Sequence, residues 1–209
     1  MRESYVQQTL DYFKNHNTNN LEDYLKRLYF IYPTLHIDPE VLSNIIKEAN
    51  EMFEVPFYHI KVIGSKHQGF SFIDKNKNGK IKYADDKSDI DLAIINSTLF
   101  NKLVTNTLVE TENFKDRTKF LAPRKLENGS TFNYIDYYQK NLSYGFIRPD
   151  SLGSIKDRRK FKEFSKEIKG SYGIKCSIAV YLNEISFITR LNQQIMRFYE
   201  MEEVKNGLK

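Results

Sequence analysis

Tyr58-His-Ile-Lys-Val-Ile-Gly64-Ser65 and, further on, Lys87-Ser88-Asp89-Ile90-Asp91-Leu92-Ala93-Ile94-Ile95 decide the reading of this chain. The first stretch is an apolar run that ends on Gly-Ser, the pattern of a buried strand entering a tight turn. The second is an apolar strand with two carboxylates at its start. Residues i and i+2 of a strand point to one face, so Asp89 and Asp91 aim together while Ile90 and Leu92 turn the other way. A strand that simply starts after a turn accounts for Asp89. It gives no reason for Asp91, because an unpaired charge inside an apolar run is costly to bury. Two aligned carboxylates suit a hard divalent cation, and Mg²⁺ is commonly held by one or two carboxylates together with phosphate oxygens. Gly64 lets a backbone come close, and Ser65 adds an N–H and a hydroxyl within reach of a phosphate.

The ordered set of strand, Gly-Ser, spacer, Ser-Asp-Ile-Asp and apolar strand resembles the signature of the DNA polymerase β-like nucleotidyltransferase superfamily. The resemblance implies an α+β fold with a small mixed β-sheet and flanking helices. It also implies transfer of a nucleoside monophosphate from an NTP to a hydroxyl, with metal ions held by three carboxylates. On this chain it makes Asp89 and Asp91 the Mg²⁺ ligands and places Gly64, Ser65 and Ser88 on the nucleotide. Arg148, in Gly145-Phe-Ile-Arg148-Pro149-Asp150, could take a phosphate in fork geometry. A structural ion pair with Asp150 or Asp136 is the rival account.

The chain departs from the pattern in two places. Gly64 and Asp89 are 25 positions apart, a long spacer. Phe70–Asp74 and Lys80–Tyr83 alternate in polarity around Asn78-Gly79, so the extra length reads as a hairpin. Asp74 to Asp85 also fits the spacing of an EF-hand calcium loop with Asp in place of the last Glu, but its flanks read as strands and four lysines lie inside it. The second departure is the third carboxylate. The best late strand, Gly173–Leu182, has none, and Ser177 falls about where one is expected. Asp136, flanked by apolar residues in a possible strand, is the best substitute and the third candidate catalytic residue. Glu184 is equally explained as a first-turn acid of the final helix.

The 209 residues carry a formal net charge of +5, which leans toward polyanionic partners. Much of that charge lies in Ser154–Gly170, an amphipathic helix with Phe161, Phe164 and Ile168 facing inward, cations outside and Gly170 as its stop. Either a solvated face or a nucleic-acid surface fits those cations. The single cysteine, Cys176, reads as core. No apolar run reaches membrane-spanning length and no secretory segment is visible at the N-terminus, which points to the cytoplasm and to no membrane partner.

Helices are expected near residues 3–14, 20–31, 39–53, 98–110 and 184–203, with Asp38-Pro39 and Asn183 as start signals. Ile188, Leu191, Ile195 and Phe198 form a core stripe on the last of these. Residues 112–131 read as a loop, and His67 lies close enough to the Gly-Ser turn to touch a triphosphate or to be an ordinary surface histidine. No Pro/Gly/Ser-rich linker divides the chain, so one domain is expected over 1–209, with N-terminal helices 1–54 packed on a core of 55–209. The expected function is Mg²⁺-dependent nucleotidyl transfer from an NTP to RNA, a protein, a nucleotide or a small molecule. The alternative is an inactive domain of the same kind that binds nucleotide, RNA or a partner protein.

Overall fold

The computed structural model describes residues 4–16, 18–73 and 79–208. Its centre is a mixed sheet of four strands, β1 (Ile60–Ile63), β2 (Ile90–Ile95), β5 (Phe146–Ile147) and β6 (Cys176–Tyr181). The strands lie in the order β1-β2-β6-β5; β2 and β6 are parallel, and both edge strands run antiparallel to their neighbours. A separate exposed ribbon pairs β3 (Arg124–Lys125) with β4 (Thr131–Phe132).

Alternation along the strands sorts side chains onto the two faces of the sheet, and helices cover both. On one face Ile60, Val62, Ile90, Leu92, Ile94, Cys176, Ile178 and Val180 pack against α3 (Pro39–Phe53), α5 (Ser97–Glu110) and α7 (Ile155–Tyr172). On the other face Ala93 and Tyr181 meet α1 (Val6–His16), α2 (Leu21–Lys26), the π-turn Arg27–Ile31, α8 (Glu184–Tyr199) and α9 (Glu202–Gly207). The first three helices therefore divide between the two layers: α1 and α2 join one, α3 the other. Among the described residues no helix is long and apolar enough to cross a membrane.

Local chemistry sets most element boundaries. Pro39 opens α3 with its φ already helical, and the Asp38 carboxylate accepts from the amides of Glu40 and Val41 at 2.9 and 3.1 Å; a cap of this kind contributes about 1 kcal/mol. Asn96 and Asn183 cap α5 and α8 through the amides of Leu99 and Ser186. The apolar residues of α7 sit where the spacing puts them, with Phe53 stacked on Phe161 at 4.4 Å between ring centroids. The stripe on α8 is core, as expected.

Several expectations need correction. α7 passes through Gly170 and stops at Gly173, whose φ of +68° gives the left-handed turn that closes a helix. The single helix expected over 184–203 is two, because the backbone becomes extended at Met201. Asp136 is in no strand: it occupies the first turn of α6 (Tyr134–Leu142), capped by Asn133, since Ile135 and Tyr138 bury at helical spacing. Among the described residues the arms of the expected hairpin meet at one bridge, Phe70 with Tyr83. Phe70 and Phe72 are drawn inward against Phe198, while the far arm docks on α9, where the Glu203 amide donates to the Gly79 carbonyl at 3.0 Å. The rest of that hairpin turn and the first five positions of the calcium-like loop, residues 74–78, lie outside the described residues. The stretch 112–131 is irregular apart from the ribbon strand and a short 3₁₀ turn at Arg117–Lys119.

Candidate functional site

β1 delivers Gly64 and β2 delivers Asp91 to the same point of the sheet. In the antiparallel pairing Ile63 stands opposite Asp91, so Gly64 is the next residue past that pair. Gly64 has φ +72° and ψ −161°, a conformation essentially restricted to glycine. A Cβ built there would lie 2.9 Å from Oδ2 of Asp91. Glycine is thus required twice, once by the backbone and once by the carboxylate. After Gly64 the chain turns at once into α4 (Ser65–Gln68).

On the other side of β2, the parallel register sets Ser177 of β6 opposite Asp91, and its hydroxyl donates to Asp91 Oδ1 at 2.5 Å. The position where the sequence pattern asks for a third carboxylate therefore carries a neutral hydroxyl. Asp89 lies one residue before β2 and is exposed. Ser88 is occupied locally: its hydroxyl donates to the Asp85 carboxylate at 2.8 Å and accepts from the Asp85 amide.

Gly64, Ser65, Asp89, Asp91, Arg148 and Ser177 all line one cleft of ≈ 840 Å³, within the usual range of small-molecule sites, about 300–1,000 Å³. Ser88 lines an adjoining basin of ≈ 280 Å³ that shares Ser65, Asp89 and Asp91 with the cleft. Asp136 is exposed on α6 and is not among the residues lining either space. Glu184 is also elsewhere, 3.8 Å from Lys26 on α2. Among the described residues the carboxylates on the cleft are Asp89, Asp91 and Asp150.

Arg148 pairs with Asp150 at 3.1 Å, not with Asp136. Burial opposes its charge, but Asp150, Tyr137 and Asp91 outweigh that, and the guanidinium pKa is raised. An ion pair this exposed is worth about 1 kcal/mol or less, so Arg148 can turn to a ligand anion at little cost.

On sequence alone the cations of α7 fit a solvated face or a nucleic-acid surface. Arg158, Arg159 and Lys162 line the cleft, together with Arg190 of α8. Arg158 is half committed to structure, since its guanidinium donates to the carbonyls of Lys119, at 2.7 Å, and Leu152. The helix periodicity identified which residues of α7 face the core; it carried no information about what stands beside the N-terminal end of the helix.

His67 is neither a phosphate contact nor a surface residue. It is buried, with one ring nitrogen 2.6 Å from the Leu28 carbonyl and the other 3.0 Å from the Thr34 hydroxyl. Burial lowers its pKa to about 4. Cys176 lines the cleft from the core side, and burial, reinforced by Asp91 and Asp89, pushes its thiol up to about 12.

Sequence reasoning missed Tyr29, Gln68 and Arg190, which reach the cleft from the π-turn, α4 and α8 respectively. No local motif marks them. Comparison of the chain with protein-family models, curated proteins and solved structures gave no match.

Proposed function

We propose that this cleft binds an NTP with Mg²⁺ and transfers its nucleoside monophosphate to a hydroxyl acceptor on RNA or protein, as in nucleotidyltransferases of the DNA polymerase β-like kind. The observation that carries the reading is the fit between Gly64 and Asp91. A glycine in a glycine-only conformation, 2.9 Å from a carboxylate oxygen at its missing Cβ, costs stability and restricts sequence for no benefit to the core. It is explained if a phosphate and its counter-ion must lie where that turn meets that carboxylate.

The residues present fit one hard cation. Asp89 and Asp91 supply two carboxylates, and phosphate oxygens and water complete such a shell. They do not fit a pair of ions on three carboxylates, because Ser177 offers no charge; among the described residues no group of three or more His, Cys, Asp or Glu side chains is arranged to hold a metal. When bound, Mg²⁺ would offset the triphosphate charge. Ser65 would donate its hydroxyl to a phosphate oxygen, and Arg148 would take a second in fork geometry. The acceptor oxygen would bond to the α-phosphorus as pyrophosphate leaves, and its proton would pass to Asp150, the cleft carboxylate left over from metal binding.

Ser177 favours a second reading, a domain that binds Mg²⁺–NTP without turning it over. One experiment separates the two. Purified protein is incubated with each α-phosphate-labelled NTP, Mg²⁺, cellular RNA and cellular protein. Label in a macromolecular fraction that disappears with Asp91→Asn supports transfer. Mg²⁺-dependent NTP binding with no label supports the binding domain, and an Asp91→Asn protein that binds NTP as well as the wild type overturns both.

A further inference from the structure

Among the described residues, two hydrogen-bond donors on the cleft have no partner. Gln68, at the end of α4, is fully buried and lines the cleft. The buried Tyr29 hydroxyl donates to its Oε1 at 2.5 Å, while its Nε2 is without a partner. That orientation of the amide is the cheaper one: turning it over would orphan both the Tyr29 proton and Oε1. Arg190, on α8, has its guanidinium 5.2 Å from the Phe146 ring centroid, and Nη1 donates to Gln193 at 3.2 Å. Its Nε is buried and unpartnered. Arginine has no acceptor atom at all, so the sign of this part of the cleft is set independently of the glutamine.

A buried unpartnered donor costs about 1–3 kcal/mol, and two on one cleft need an explanation. Both side chains line the cleft, so a small side-chain adjustment lets a ligand seated there supply the missing acceptors. Around them lie aromatic rings: Tyr29, Phe72, Phe146 and Tyr181 also line the cleft, and Phe146 and Tyr181 are 5.1 Å apart. Flat apolar walls with donors at their edge suit a planar ligand whose edge presents acceptors. The phosphate-type contacts, by contrast, gather at Gly64, Ser65 and Arg148.

We propose that Gln68 and Arg190 form a base-reading subsite that selects a nucleobase with a carbonyl edge, guanine through O6 and N7 or uracil through O4. Adenine and cytosine present an amino group there, a donor facing donors. This deepens the proposed function and rests on the cleft being a nucleotide site.

The test is calorimetric binding of GTP, ITP, UTP, ATP and CTP, each with Mg²⁺, to the full chain and to the Arg190→Met and Gln68→Leu variants. GTP, ITP and UTP should bind at least about tenfold more tightly than ATP and CTP, the scale of one mispaired buried donor. Arg190→Met should erase about tenfold of that preference with ATP and CTP changed less than about twofold. Arg190 is partly exposed on its helix and its removal leaves no buried polar group behind, so this variant keeps the test valid if Gln68→Leu, which strips Tyr29 of its acceptor, fails to fold. Five nucleotides that bind equally well, with binding still lost in Asp91→Asn, would overturn the base reading and leave the nucleotide site standing. Equal weakening of all five by Arg190→Met would assign Arg190 to phosphate and overturn it as well. Binding of none would overturn both.

Discussion

Replacing Gly64 with alanine should damage the protein more than the same change at any other left-handed glycine with free space around it. Two terms add at Gly64. Its φ of +72° with ψ −161° is closed to residues with a Cβ, a strain of about 1–3 kcal/mol. The new methyl would also stand 2.9 Å from Asp91 Oδ2, and Asp91 is held on its other side by Ser177, so the carboxylate cannot move away freely. Together they amount to about 2–4 kcal/mol, a fall in Tm of roughly 4–16 °C for a chain of this size. Gly173 is the control: its φ is +68° but nothing among the described residues lies within 4 Å of its Cβ position, so Gly173→Ala carries only the left-handed penalty of about 1–2 kcal/mol. Thermal and urea unfolding of the two variants give the comparison, and Mg²⁺-dependent NTP binding gives the functional arm. Gly64→Ala should lose binding even where it is still folded, while Gly173→Ala keeps it. If the two variants are equally stable and Gly64→Ala still binds, the close approach of Gly64 to Asp91 has no role and the argument built on it fails.

Other outcomes follow from the same geometry. Asp91→Asn, which keeps shape and removes charge, should weaken Mg²⁺-dependent NTP binding by at least about tenfold in titration calorimetry, the loss of one direct carboxylate–cation contact. Ser177→Asp puts a carboxylate across the β2–β6 register from Asp91; it should raise Mg²⁺ affinity and, if the second reading is right, introduce transfer activity where the wild type has none. His67 folds with its pKa lowered from 6.5 to about 4 by burial, so the unfolded chain binds the extra proton between those values. Its contribution is fully present above pH 6.5 and declines by about 3 kcal/mol as pH falls to 4; urea unfolding of wild type and His67→Gln across that window should show a shallower pH slope for the variant. Charge reversal of Arg159 and Lys162, which line the cleft, should weaken NTP binding as well as RNA binding; loss of RNA binding alone would place the nucleotide away from α7.

The parts of this protein written in local pattern were legible in its sequence. The apolar runs in 89–95 and 173–182 marked two strands of the sheet, the spacing of Phe161, Phe164 and Ile168 gave the buried face of α7, and Asp38-Pro39 and Asn183 gave helix starts, because each depends on residues a few positions apart. Asp136 was misread because two apolar neighbours suit a strand or a helix equally; Asn133 as a cap and the burial of Ile135 and Tyr138 settled it as a helix. Gly64, Asp89 and Asp91 stood out as candidates on chemistry alone. That Ser177 bonds Asp91, that a Cβ at Gly64 would collide with the same carboxylate, and that Gln68, Arg190 and the α7 cations face one cleft came only from the tertiary structure. The reason is range: strand and helix periodicity act over a few residues, whereas Ser177 and Asp91 are 86 positions apart and meet through sheet register, which a local pattern does not encode.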